Sequence, residues 1–364
     1  MNNKIQNQYT PELVTPPGET LIEILSSKLI SQAELSKRMG RPLKTINEII
    51  KGKTAIIPET ALQLERVLGV PANFWITREQ HYREYLARTK EMKFLQTKLE
   101  WLNQFPLKKM IEYQWIKNVK SGPSLLQELL SYFGVASIEA WEGMWSAKQI
   151  SYSFRKSSNV VCNVASLRSW LRQGEIRAQQ TNCNSFDESL FKKNLNEIKS
   201  LKLNDPNDFI TQIQTRCSNA GVIVDVVREL PNCPVSGATR WLSKNKALIQ
   251  LSLRYKTDDH LWFTLFHEAG HILMHGKRDI FVDISNSKNQ IEREKEADEF
   301  AADCFIPRPK WMDFVKRNIF MESDVNAFAR TLNIAPSIIV GRLQHERRIP
   351  FNSLNDIKIH LTWA

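Results

Sequence analysis

His267-Glu268-Ala269-Gly270-His271 sets two imidazoles and one carboxylate at the spacing that metal-centred hydrolysis requires. On an α-helix four residues turn through about 400°, so His267 and His271 project from one face, one turn apart, with Glu268 about 100° round from His267. Two neutral imidazole nitrogens can then hold a zinc ion while the carboxylate stays available as a base. The competing reading of so short a run is a core helix whose histidines merely satisfy their hydrogen bonds. The flanks call for a mostly apolar, buried helix: Leu261-Trp262-Phe263-Thr264-Leu265-Phe266 precedes the run, Ile272-Leu273-Met274 follows it, and Gly276 offers a stop.

A third ligand has to come from elsewhere, because in the longer HExxHxxGxxH pattern Met274 occupies the glycine position and Lys277 the last histidine position. Downstream, Glu292–Ala302 is built of strong helix formers, with Ala297, Phe300 and Ala301 at i, i+3, i+4 as a buried stripe. Glu294 and Asp298 lie one turn apart on one face of it. That spacing is expected if Glu294 ligates the metal and Asp298 holds a zinc histidine through its second ring nitrogen. The acidic run leaves the register open, so Glu296 is the alternative third ligand, and a solvated acidic face is the reading without a metal. Arg254, Tyr255 and His260, just upstream of the helix, are candidate donors to a tetrahedral oxyanion. His275, one turn beyond His271, either points toward the site or sits at the helix end, where a histidine is electrostatically welcome.

From Ser236-Gly237-Ala238-Thr239-Arg240-Trp241, through Ile249-Gln250-Leu251-Ser252-Leu253-Arg254-Tyr255 and the HEAGH helix, to Glu294, Ala297-Asp298, Phe300-Ala301 and Ile306-Pro307, the chain resembles the ImmA/IrrE zinc metallopeptidases. The resemblance implies that His267, His271 and Glu294 bind zinc and that Glu268 is the catalytic base. It also implies selective cleavage of a regulatory protein, such as a repressor, in a stress, mobile-element or phage-defence response.

The N-terminal residues carry different chemistry. Ser31-Gln32-Ala33-Glu34 reads as a capping box, Gly40 ends the short helix it opens, Pro42 suits the start of the next, and Gly52 closes that one. Two short helices across a tight glycine turn form a helix-turn-helix, whose second helix enters the DNA major groove. From Pro17-Gly18-Glu19 through Ser31-Gln32, Leu35 and Arg38 to Asn73-Phe74-Trp75 the chain resembles the XRE class, and within it the HigA-type antitoxins. On a recognition helix at 42–51, Leu43, Ile46, Ile49 and Ile50 form the expected packing face. Arg41, Lys44, Lys51 and Lys53 are candidate phosphate contacts, and Thr45 and Asn47 candidate base readers, with Glu48 diluting the positive field. A helical adaptor that contacts protein is the alternative use of the same fold.

A net charge of +11 and a pI near 9.4 favour polyanionic partners, double-stranded DNA among them, with basic residues enriched from Arg78 to Lys120. Five widely spaced cysteines without a CxxC pair argue against a disulfide framework or a cysteine zinc site. Met1–Tyr9 is polar, with no secretory leader, and no apolar run reaches bilayer length, so a cytoplasmic protein without a membrane partner is expected.

The expected architecture is mainly α with a small β-sheet (α+β). Residues 1–92 form a helix-turn-helix bundle, 93–204 a helical middle region, and 205–364 a zincin-like metallopeptidase domain with a helical C-terminal part. In the middle region Leu125–Phe133 and Leu167–Leu171 show helical spacing, Gly122-Pro123 and Thr181–Ser185 mark loops, and Trp115, Trp141, Trp145 and Trp170 read as core. A helix at 205–220 and strands at Val222–Val227, Gly237–Trp241 and Ala247–Leu251 follow, then helices near Trp311–Arg317, Ser323–Leu332 and beyond Pro336. An extended substrate could add to an exposed edge of that sheet. The leading function is a DNA-binding zinc metallo-endopeptidase, a homodimer if its operator is palindromic. The alternative is a non-catalytic HigA-like antitoxin or repressor whose metallopeptidase-like part senses a ligand or binds a toxin.

Overall fold

The structure, a computed structural model, describes residues 14–120, 122–144, 153–156, 163–201, 206–275 and 287–363. Trp145, Cys162, Gly276 and Lys277 lie outside the described residues, as does the polar start of the chain. The chain divides into two units, one reaching to Leu99 and taking in the start of a later helix at 122–124, the other holding Glu100–Lys120 and the chain from Leu125 onward. The stretch at 93–204 is therefore shared between the two units.

The first unit is helical: α1 (Pro17–Ser27), α2 (Gln32–Met39), α3 (Leu43–Ile50), α4 (Pro58–Leu68) and α5 (Ala72–Gln96). Ser31 caps α2 by accepting the Glu34 N–H at 3.1 Å, and Gly40 ends it in the left-handed region at φ 62°. That cap and that glycine set the tight turn into α3. The core gathers Leu21, Leu35, Ile46, Ile49, Leu64, Leu68 and Trp75. At Gly18 the backbone of α1 comes so close to Ile50 that a Cβ would collide with the Ile50 main chain. Leu43, expected on the packing face, is instead 43% exposed. α5 is one 25-residue helix whose first turn buries Trp75.

The second unit contains α6 (Leu107–Glu112), α7 (Gly122–Phe133, shared at its start), α8 (Ile138–Met144), β1 (Ser153–Lys156), α9 (Val164–Gln180), α10 (Glu188–Ile198), α11 (Pro206–Asn219), β2 (Val222–Val226), β3 (Val235–Ser243) and β4 (Lys246–Leu251). After these come α12 (Asp258–Met274), α13 (Ser287–Phe305), α14 (Arg308–Val315), α15 (Glu322–Leu332) and α16 (Pro336–His345). The sheet runs β1-β3-β4-β2, antiparallel except for the parallel β2–β4 pair. Alternation assigns its faces: Ala247, Ile249 and Leu251 join the large core with Leu261, Leu265 and Phe266 of α12, while Leu248 packs with Ala178 of α9. Trp170 on α9 donates to Val227 O at 3.2 Å, and Gln250 donates to Trp170 O at 2.7 Å. The sheet is thus covered by helix on both faces, which is why β2 and β4 read as nearly continuous apolar runs.

Two sequence expectations change here. β1 is a strand inside a stretch read as helical, and Gly122-Pro123, read as a loop, starts α7, where a proline costs no intrahelical hydrogen bond. Because β1 pairs with β3, the strand beside α12 is not an edge; the edges are β1 and β2. Trp141 and Trp170 are core, whereas Trp115 is only half-buried. Among the described residues Cys183, Cys217, Cys233 and Cys304 are all free thiols, and no helix is long and apolar enough to cross a membrane.

Candidate metal centre

α12 is fixed at its first turn by two buried carboxylates. Asp258 accepts from Ser337 Oγ at 2.5 Å and from the Ile359 N–H at 2.9 Å, and Asp259 pairs with Lys358 at 2.7 Å, tying the helix to α16 and the C-terminal segment. Negative charge there also meets the positive end of the helix dipole. Further along, Gly270 lets α13 approach: a Cβ at this position would lie 3.1 Å from a Phe300 ring carbon and 3.4 Å from Ala297 Cα. Ala297 and Ala301 keep the facing side of α13 equally small.

This close crossing brings the expected residues together. His267 Nε2 and His271 Nε2 are 3.1 Å apart, and Glu294 places one oxygen 3.3 Å from the first and the other 3.5 Å from the second. A tetrahedral zinc with ligand bonds of about 2.0–2.1 Å puts its ligand atoms roughly 3.4 Å apart. His267, His271 and Glu294 form a group of metal-ligating type, and their donor set fits such an ion. Two imidazole lone pairs cannot face each other at this distance unless a proton or a cation lies between them. Burial disfavours charge on both rings. At His267, hydrogen bonds to Asp298 and Glu294 overcome it and raise the pKa to about 9; at His271, burial with His267, His275 and Arg293 nearby lowers it to about 2.

Each ring is held from behind. His267 Nδ1 is 2.9 Å from Asp298 Oδ1, the arrangement the sequence suggested. His271 Nδ1 meets His275 Nδ1 at 2.9 Å, and His275 Nε2 meets Glu296 Oε2 at 3.0 Å. If His271 Nε2 faces a cation, the tautomers along this chain follow: His271 Nδ1–H donates to His275, and His275 Nε2–H donates to Glu296. Glu296, kept open as a third ligand, sits on His275, and His275 sits against His271. The signal for this was the third histidine at i+4 in the series 267, 271, 275.

Glu268 is fully buried, facing β3 at Gly237, where a Cβ would lie 2.7 Å from Glu268 Oε1; only glycine leaves this room. Thr239 Oγ1 donates to Glu268 O at 3.1 Å and ties that strand to α12. The candidate oxyanion donors make a cluster of their own. The Arg254 guanidinium lies 5.1 Å over the Tyr255 ring and donates to Pro234 O, and Tyr255 stacks on His260 with centroids 4.1 Å apart, two turns before His267.

In the first unit Lys44, Lys51 and Lys53 are exposed on or just after α3, with Thr45, Asn47 and Glu48 half-buried. Arg41 is turned onto Gln63 by a 2.6 Å hydrogen bond, and Glu48 accepts from Thr54 Oγ1 at 3.1 Å, which draws its charge back from the helix face.

Residues 235–343 match the family model of the IrrE N-terminal-like domain, a peptidase family, and residues 21–75 match that of a helix-turn-helix. The chain therefore joins a helix-turn-helix domain to an IrrE N-terminal-like domain, as the two resemblances implied, a combination that supports a DNA-binding regulator with a metallopeptidase-like domain. Similar solved structures include an addiction module antidote protein of the HigA family from Coxiella burnetii, 27% identical over 23% of this chain and 92% of that one, with a TM-score of 0.21. A protein described as an antidote of a plasmid maintenance system from Nostoc punctiforme is 25% identical over 23% of this chain and 91% of its own, TM-score 0.22. The antitoxin GraA is 23% identical over 22% of this chain and 88% of its own, TM-score 0.22. No curated protein matches the chain.

Proposed function

We propose that this protein is a zinc-dependent endopeptidase that cleaves a regulatory protein, such as a repressor, and is directed to DNA by its N-terminal unit. The observation that supports the reading is the convergence of His267 Nε2, His271 Nε2 and Glu294 within 3.1–3.5 Å of one another, with the buried Glu268 on the same helix. His267, His271 and Glu294 would hold the ion. When bound, zinc lowers the pKa of water toward neutrality and polarises a peptide carbonyl. Glu268 accepts the proton of the attacking water and returns it to the departing amine, so its carboxylate does general base and then general acid work. Asp298 orients His267; His275 with Glu296 orients His271. Arg254, Tyr255 and His260 stand as the donors that receive negative charge on the carbonyl oxygen. Lys44, Lys51 and Arg41 neutralise phosphates, and Thr45 and Asn47 read base edges.

The test compares wild-type chain with Glu268→Gln, in cells and against a candidate repressor encoded nearby. The variant keeps its metal and its melting temperature and loses cleavage by about 100-fold or more, since general acid–base catalysis contributes about 10²–10⁴. Equal cleavage by both refutes the role of Glu268. If neither cleaves any candidate while both bind zinc and DNA, the non-catalytic repressor takes its place.

A further inference from the structure

Beside the metal centre, in the second unit, a cavity of about 360 Å³ lies between α12, α13 and α16. Phe263, Ala302, Phe305 and Ile338 give it apolar walls, and Asp259, Asp298, Glu299 and Arg342 are among the polar residues that line it. Its volume is in the range of small-molecule sites, about 300–1,000 Å³. The informative group is Asp259. Its side chain is only 5% exposed; Oδ2 pairs with Lys358 Nζ at 2.7 Å, while Oδ1 is buried with no hydrogen-bond partner among the described residues. A buried acceptor left unmade costs about 1–3 kcal/mol, more when charged, and so rewards an occupant that brings a donor. Gly341 makes room for this carboxylate, since a Cβ there would lie 2.7 Å from Asp259 Oδ2.

We propose that this cavity is a binding site for an apolar, aromatic-sized group carrying one hydrogen-bond donor, of the indole or phenol class, with the donor directed to Asp259 Oδ1. The walls select the apolar body; of the charged groups in the lining, Asp259, Asp298 and Glu299 disfavour an anionic head, and the Arg342 guanidinium is engaged by Glu346, Ala302 O and Ile306 O. Asp298 is also the partner of His267, so an occupant rests against the group that orients the first histidine. The same chemistry has two sources, a tryptophan or tyrosine side chain of a bound protein or a free small molecule. The inference goes beyond the peptidase reading and stands whether or not Glu268 acts as a base.

Calorimetry and ligand-observed NMR on the full zinc-loaded chain test it with indole and benzofuran, two rings of one shape of which only indole has an N–H. Indole binds saturably, and benzofuran binds at least about tenfold more weakly, the effect of one hydrogen bond to a charged acceptor. Ala302→Phe, which fills the cavity, removes indole binding with zinc content unchanged. Saturable binding of N-acetyltryptophanamide as well assigns the cavity to a protein side chain; binding of indole with exclusion of the amide assigns it to a free molecule. Absence of saturable indole binding, equal affinity for indole and benzofuran, or full indole binding by folded Ala302→Phe overturns the proposal. The wild-type probe pair decides the question even if the variant fails to fold.

Discussion

Removing the acceptor behind His267 is the most direct test of how the metal centre is built. His267 is 1% exposed and its Nδ1 has Asp298 Oδ1 at 2.9 Å, a hydrogen bond to a charged acceptor worth about 1.5–3 kcal/mol. Loss of such an outer partner costs about 10–100-fold in metal affinity. Asp298 is itself 43% exposed, so water partly replaces it and the lower end applies: Asp298→Ala weakens zinc binding roughly tenfold, about 1.4 kcal/mol. Asp298→Asn keeps an oxygen acceptor and loses less, roughly threefold. Glu296→Ala acts on His271 only through His275, so its effect is smaller than that of Asp298→Ala, whereas Glu294→Gln, which weakens a ligand, exceeds both. The assay is competition with a chromophoric chelator on the full chain, with the cobalt(II) absorption spectrum as a reporter of ligand geometry. A folded Asp298→Ala protein within twofold of wild type refutes the reasoning. A Glu296 variant that loses the metal while Glu294→Gln keeps it moves the third ligand to Glu296.

On DNA, Lys44→Ala weakens binding to all sequences and reduces the slope of log affinity against log salt by about 0.9, one phosphate contact, while Asn47→Ala relaxes base preference with a smaller salt effect. Fluorescence anisotropy against a genomic-fragment pool at two salt concentrations reads both, and equal salt slopes for wild type and Lys44→Ala count against the assignment. Gly18→Ala forces α1 away from Ile50 and lowers the stability of the helix-turn-helix by about 1–3 kcal/mol, read by hydrogen exchange on the full chain; protection unchanged in α1 and α3 would contradict the close approach. Burial raises the Cys217 thiol to about 12, above the roughly 8.5 of an unfolded cysteine, so the folded chain keeps a proton that the unfolded chain releases. That contribution is fully present below about pH 8.5 and is lost as pH rises toward 12, by about 1.4 kcal/mol per pH unit. Urea unfolding at pH 8 and pH 10 detects it as a steeper loss in wild type than in Cys217→Ala, and parallel losses refute it.

What the sequence disclosed, and what it withheld, follows from the range of the interactions involved. Spacing along one helix was readable: His267 with His271, Glu294 with Asp298, and the Ser31 cap with Gly40 are all settled within a turn or two of backbone. The Glu294–Glu296 register was not readable, since both residues lie on the same acidic helix and only its crossing with α12 turns one toward the imidazole pair and the other toward His275. β1 escaped because its partner, β3, lies some eighty residues away in the chain and a four-residue segment has almost no periodicity to read. Leu43 misled for the opposite reason. Its spacing matched the apolar stripe of α3, yet the burial at this helix is decided by α1 and by Ile46 and Ile49, which leave the first turn outside.

The distances at the centre depend on how near two helices can come. His267 and His271 on α12 and His275 at its C-terminal cap follow one another a turn apart, and α13 answers with carboxylates at 294, 296 and 298, so one crossing supplies the proposed ligand Glu294, a direct partner of His267 and a partner of His275. Carboxylate and imidazole side chains are short, and they meet at 2.9–3.5 Å only because the backbones between them are close. Gly270 facing Ala297 is what permits this. A methyl group added at 270 would press on a Phe300 ring carbon at 3.1 Å and Ala297 Cα at 3.4 Å, and relieving that contact by a few tenths of an ångström displaces every carboxylate on α13 together. A metal site tolerates distance errors of about 0.2 Å, so the apolar seam between the helices sets the spacing of His267, His271 and Glu294 on which the proposed metal binding depends.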